Sequence, residues 1–234
     1  MTGRGEAPVY AVFVSPHGFG HAARASAVME ALRERTAARF ELFATTPRWF
    51  FDETIPGAYT LHPVVTDVGL RQRSALEFDL EATVEALDRF LPFEEERVEE
   101  LAGRVRDAGA RAVLCDISPL GIAVAERAGL PSLLVENFTW PWLYEPLVAR
   151  APRMARHAEV LEGWIGRVTA RVQTEPLCRR VPEADAVVPP VGRTARRSRA
   201  RVREDLGVGR ESPLVVLTMG GVSDSLAMLG DIHV

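Results

Sequence analysis

Short apolar runs alternate with longer amphipathic stretches along most of this chain. That alternation limits what it can fold into more than any other feature. "VYAVFVS" (9–15) reads as a buried strand, and "HAARASAVMEALRERT" as the helix after it, with Ala23, Ala27 and Leu32 on its apolar face. "RFELFAT" is a second strand and "YTLHPVV" a weaker third. Residues 77–108 read as helix interrupted near Pro92, and the charges of "EEERVEELAGRVRD" as a solvated face. "RAVLCD", "SPLGIAVAERAGL" and "PSLLVEN" then repeat strand, helix and strand, the helix ending at Gly129. Residues 141–172 read as helices in which Trp142, Tyr144 and Trp164 serve packing. Strands separated by helices of this length become parallel through right-handed crossovers, so the expected fold is an α/β, doubly wound, Rossmann-like parallel sheet.

Three segments follow from the punctuation. Residues 1–190 form the expected main domain. The proline- and arginine-rich stretch at 191–213 reads as a solvated linker feeding a short helix, in preference to a nucleic-acid patch. "PLVVLTMGGV" reads as the first strand and Gly-Gly turn of an incomplete second α/β unit at 214–234.

Bulk properties exclude several classes. A net charge of -4 with 26% charged residues argues against a nucleic-acid-coating protein. All 28 basic residues are arginine, which removes Schiff-base chemistry and any lysine-dependent phosphate loop. Cys115 and Cys178 lie far apart with no CxxC spacing; Cys115 reads as a small core residue. No stretch has the roughly 20 apolar residues of a spanning helix, and the N-terminus is a poor signal peptide. The expected setting is cytoplasmic.

The turn "SPHGFGHAAR" carries more chemistry than a turn needs. It lies at the carboxyl end of the first strand, where open parallel sheets bind ligands. Gly18 and Gly20 allow a tight turn with exposed N–H groups, and the next helix points its positive end at the same place. The spacing is not the dinucleotide fingerprint, because Ala23 occupies the third glycine position. His17 and His21 are four apart, but glycines separate them and no glutamate intervenes, so a metal site has little support. Asp116 ends the strand "RAVLCD" at the same sheet edge. It can fix the tautomer of His21 and make it a general base for a hydroxyl nucleophile. It can equally cap the following helix with Ser118, and the histidines can simply bond backbone.

"HGFGHAARASAVMEAL" and "VLCDISPLGIAVAERAGLPSLLVEN", in that order, resemble the Gly-x-Gly-His turn and the later strand-Asp-helix-strand unit of GT-B glycosyltransferases. Within that class the chain is most similar to the glycosyltransferase-like N-terminal part of L-arabinokinases, which carries a related Gly-His-Gly-Phe-Gly-His run and an Asn-Phe-Ser-Trp segment echoed by "ENFTW". Bacterial N-acetylglucosaminyltransferases of the lipid II pathway share the Gly-Gly-His turn and, in part, Glu136-Asn137. The likeness runs from about residue 9 to residue 222.

The resemblance implies His21 as base and Asp116 as its support. It implies an acceptor side shaped by His17, Gly18, Gly20, Arg24, Glu136, Asn137 and Trp140, and a donor side at Gly220 and Gly221. The implied partners are a nucleotide sugar as co-substrate, a hydroxyl acceptor and a separate donor-domain chain, with no further cofactor, no metal and no nucleic acid. A non-catalytic sugar- or nucleotide-binding module and part of a sugar-nucleotide epimerase are the competing expectations. The chain alone is expected to fold without transferring sugar.

Overall fold

The structure is a computed structural model and describes residues 7–216 and 218. In chain order the elements begin β1 (Val9–Val14), α1 (Phe19–Thr36), β2 (Arg39–Phe43), α2 (Arg48–Asp52) and β3 (Tyr59–His62). A small hairpin, β4 (Arg71–Gln72) and β5 (Phe78–Asp79), leads into α3 (Leu80–Phe90) and α4 (Glu95–Asp107). Next come β6 (Ala110–Asp116), α5 (Pro119–Ala128), β7 (Ser132–Glu136), α6 (Trp140–Tyr144) and a 3-10 turn at Glu145–Leu147. The last elements are α7 (Met154–Ile165), β8 (Ala170–Thr174), β9 (Ala186–Val188) and α8 (Arg199–Asp205).

Seven parallel strands form one sheet in the order β3-β2-β1-β6-β7-β8-β9. The doubly wound α/β fold read from the alternating runs is therefore present. The order turns back at β1, whose neighbours are β2 on one side and β6 on the other. Crossovers leaving β1 and β6 go to opposite sides at this switch point, which opens a crevice beyond the strand ends. Val14 and Asp116 are register partners there, so the turn after β1 and the end of β6 lie side by side.

Side chains of β1 alternate faces, as a strand's two-residue period requires. Val12 and Val14 join Met29, Phe40, Leu42 and Phe51 under α1 and α2, whereas Ala11 and Phe13 join Leu101, Val105, Leu120 and Val124 under α4 and α5. A third apolar cluster, with Leu87, Ile117, Trp140, Tyr144 and Leu161, binds α3, α6 and α7 together.

Four local expectations change. The buried face of α1 is Ala22, Ala25, Ser26 and Met29, while Ala23, Ala27 and Leu32 are half-buried. The helix is turned so that His21 and Arg24, three residues apart on one face, both reach β6. Residues 170–174 are a strand rather than helix, because Ala170–Gln173 pair with β7 and give it its outer neighbour. Ala186–Val188, just before the proline- and arginine-rich stretch, pairs with β8 as the edge strand. The hairpin at 71–79 had no counterpart in the periodicity.

The linker reading of 191–213 meets helix α8 at 199–205, capped by the Ser198 hydroxyl. Of the apolar run near 214, Leu214, Val215 and Val216 are exposed and in no strand. Gly220 and Gly221 lie outside the described residues.

Candidate functional site

β1 ends at Val14, and Ser15-Pro16-His17 carries the chain over the sheet edge. Gly18, at the N-cap of α1, has φ 81, a conformation that a residue with a Cβ seldom adopts. Gly20 is already inside α1, exposed, with open space where a Cβ would sit. The tight turn thus rests on Gly18. At the neighbouring strand, Ile117 follows Asp116 with φ 55, strained for a β-branched residue by roughly 1–2 kcal/mol. The sharp exit leaves Asp116 presented at the crevice instead of continuing the strand.

Asp116 is 4% exposed and holds two partners. Its Oδ1 lies 2.8 Å from His21 Nδ1, and Arg24 grips it with a fork, Nε donating to Oδ2 at 2.6 Å and Nη2 to Oδ1 at 2.8 Å. The remaining guanidinium nitrogen, Nη1, donates to Asn137 Oδ1 at 2.7 Å. Arg24 is therefore committed to Asp116 and Asn137, so it reaches the acceptor side expected for it only through those two side chains. With Nδ1 turned to the carboxylate, the unprotonated nitrogen of a neutral His21 is Nε2, which has no hydrogen-bond partner among the described residues. The His21 ring meets Phe138 edge-on at 6.0 Å.

His17 stands in front of this group. Its ring makes an edge contact with Trp140 at 5.2 Å, and burial, then nearby His21, push its pKa below the ordinary 6.5. Trp140 is buried and packs on Tyr144 and Phe138, so it forms the back wall and is no open stacking platform. Glu136 stands apart from the cleft at His17. Only 1% exposed, it accepts from Arg171 at 2.9 and 3.0 Å and from Gln173 at 2.8 Å, in the wall of a different cavity of about 850 Å³. Ser118 precedes α5 but spends its hydroxyl on Thr66 O.

The feature that sequence reading missed is the segment after β3. Thr66 and Asp67 are buried between the ends of β1 and α6, and Asp67 Oδ1 accepts from Ser15 Oγ at 3.1 Å. Burial raises the Asp67 carboxyl to about 6; His21, Trp140 and Ser15 restrain the rise and Asp116 adds to it. The signal was available: an aspartate just past the carboxyl end of a parallel strand belongs to the same edge as Asp116. Asp67, His17, Thr45, Gln72 and Phe90 line an open cavity of about 660 Å³ in front of the switch point. Among the described residues, no cluster of three His, Cys, Asp or Glu side chains is placed to hold a metal. Among them also, no helix is long and apolar enough to cross a membrane.

No family model matches the chain. It is 29% identical over 220 residues to L-arabinokinase from Arabidopsis thaliana, an overlap that takes 91% of this chain and 21% of that protein. Among solved structures, Arabidopsis thaliana UGT89C1 complexed with quercetin aligns with a TM-score of 0.53 at 16% identity, over 86% of this chain and 55% of that one. A UDP-glucosyltransferase from Polygonum tinctorium, capable of glucosylating indoxyl, aligns with a TM-score of 0.50 at 13% identity, over 86% of this chain and 56% of that one. The chain thus spans about a fifth of the arabinokinase and about half of each glycosyltransferase. Sheet order, switch point and these alignments together give the chain a GT-B glycosyltransferase-like fold.

Proposed function

We propose that this chain is the acceptor side of a sugar-transferring enzyme that uses a nucleotide sugar, with His21 as general base. The observation that carries the reading is the 2.8 Å contact between His21 Nδ1 and Asp116 Oδ1 at the sheet's switch point, which leaves Nε2 as the proton acceptor. The acceptor hydroxyl would give its proton to Nε2 while its oxygen bonds to the anomeric carbon. The bond from that carbon to the nucleotide diphosphate breaks, the diphosphate leaves with the electron pair, and the configuration inverts. Asp116 would hold the imidazole's orientation and balance the charge it gains. Arg24 and Asn137 would hold Asp116 in turn, a positioning role. The donor would be held by a further domain or a separate donor-domain chain.

Arg24 also favours the second reading, a binding module without chemistry, because its fork already neutralises the carboxylate that would support an imidazolium. One substitution separates the two. With the donor side supplied, His21→Ala should lower turnover by roughly 10²–10⁴-fold and leave acceptor affinity nearly unchanged. Unchanged turnover would remove His21 from catalysis, and no turnover in the parent with the donor side supplied would leave the binding module.

A further inference from the structure

Asp67 is 3% exposed, and its Oδ2 is buried without a hydrogen-bond partner. The indole Nε1 of Trp140 is also buried without a hydrogen-bond partner, and it lies close enough to hold the Asp67 carboxyl back from a further rise. A bare buried carboxylate oxygen is costly, and folds keep such groups where something else completes them. The wall that carries Asp67 is held rigidly in place. Thr66 Oγ1 donates to Val14 O at 2.7 Å, Ser118 Oγ to Thr66 O at 3.2 Å and Tyr144 Oη to Gly69 O at 2.9 Å. This is a preformed surface, and its 660 Å³ cavity falls in the range of about 300–1,000 Å³ usual for small-molecule sites.

The cavity is chemically divided. Its lining includes the buried Asp67, the half-buried His17, Leu70 and Phe90, and the exposed Arg71 and Arg89. The Arg71 guanidinium has no partner among the described residues, and Arg89 has only an exposed glutamate, Glu85, at 3.8 Å. A ligand that satisfies this lining needs hydroxyl donors for a carboxylate and a negative group for two arginines.

We infer that this cavity binds the acceptor as a hydroxylated small anion, a sugar acid or sugar phosphate, with a hydroxyl donating to Asp67 and the anionic group on Arg71 and Arg89. The word acceptor rests on the proposed function; the binding chemistry does not.

The test is calorimetry on the full chain at low salt with four probes: glucose, glucuronate, glucose 6-phosphate and inorganic phosphate. At least one of the two sugar anions should bind about tenfold or more tighter than glucose or free phosphate, the two arms separating carboxylate from phosphate. The exposed double variant R71Q/R89Q should bring that anion down to the level of glucose. Asp67→Asn should weaken the anion by about tenfold. Glucuronate stays ionised above pH 5, so its affinity should fall as pH drops through about 6 in the wild type and not in Asp67→Asn. The groups facing Asp67 are His17, His21, Asp116 and Tyr144. The comparison with Asp67→Asn, which keeps both histidines, identifies the carboxyl. Equal binding of glucose and both anions, no binding of any probe, or unchanged binding in R71Q/R89Q overturns the inference. The outcomes stay separable: the binding pattern is read without turnover, so its loss condemns the cavity alone, and an intact pattern beside unchanged turnover in His21→Ala condemns the base alone.

Discussion

Replacing Arg24 by alanine would leave the Asp116 carboxylate buried with only the His21 imidazole beside it, and Asn137 without its donor. Breaking a buried pair from one side costs about 3–5 kcal/mol, because the uncompensated charge stays in place. Arg24→Lys should recover little of this, since an ammonium cannot supply the fork to both carboxylate oxygens. Urea unfolding of both variants at neutral pH measures the difference. Asp67 has the opposite character. Its carboxyl is raised from the ordinary 3.8 to about 6, so between those values the native state binds more protons than the unfolded one. Stability from this group is highest in acid, falls as pH rises from about 4 to 6, and stays lowered above that, by roughly 2–3 kcal/mol. Asp67→Asn should therefore gain stability relative to wild type at pH 7.5 and lose that advantage at pH 4.5. Equal gaps at both pH values would contradict the burial argument.

At the scale of elements, the segment joining β3 to β4 and the linker before α8 behave differently. Gly69 has φ +60, and a Cβ there would come within 2.8 Å of the His17 ring and 3.0 Å of Trp140. Gly69→Ala should cost about 1–3 kcal/mol and displace His17, visible as a shifted imidazole resonance and weaker probe binding. The linker is a strap. Arg193 pairs with Glu53 at 3.0 Å and lies over the Phe50 ring, and Arg196 reaches Thr54 O at 3.1 Å and Glu30 at 3.6 Å. Arg197 meets Asp205 within α8. With acidic partners in the same chain, these guanidinium groups have little charge left over for a polyanion. Replacing Arg196, Arg197 and Arg199 by glutamine should change stability by less than about 1 kcal/mol, as for other exposed pairs. Retention on heparin should be weak in the parent and vanish at moderate salt. Arg203 is the exception in the cluster, buried and bonded to the carbonyls of Gly209 and Ser212, so it closes the end of α8.

For the whole molecule, the central strands report global opening. Cys115 is fully buried on β6 between Phe13 and Leu134, and burial pushes its thiol far above the usual range. Cys178 is exposed. A thiol reagent should label one cysteine at once and the second only at the rate of global unfolding, because exposing β6 means separating the sheet at its middle. Rapid labelling of both in native buffer would show that the sheet opens locally at β6.

Apart from α2 and the hairpin at 71–79, the strands and helices up to residue 136 followed from period alone, because a half-buried helix and a buried strand impose different spacings on apolar residues. The edge position of Asp116 followed as well, since a parallel sheet puts every strand's carboxyl end on one side. Beyond residue 140 the same method missed β8 and β9. "ARVQT" alternates poorly, and "AVV" is too short to show a period, so their pairing with β7 and with each other decided their conformation. Roles of individual side chains divide the same way. That His21 and Asp116 could meet was legible from their elements. That Arg24 spends its guanidinium on Asp116, that Glu136 turns to Arg171, and that Asp67 is the bare carboxylate beside His17 was not. Those depend on distances across 35 to 92 positions in the chain, set by the rotation of α1 and the register of the sheet. Periodicity determines which face a residue occupies; only packing in three dimensions determines which charge it finds there.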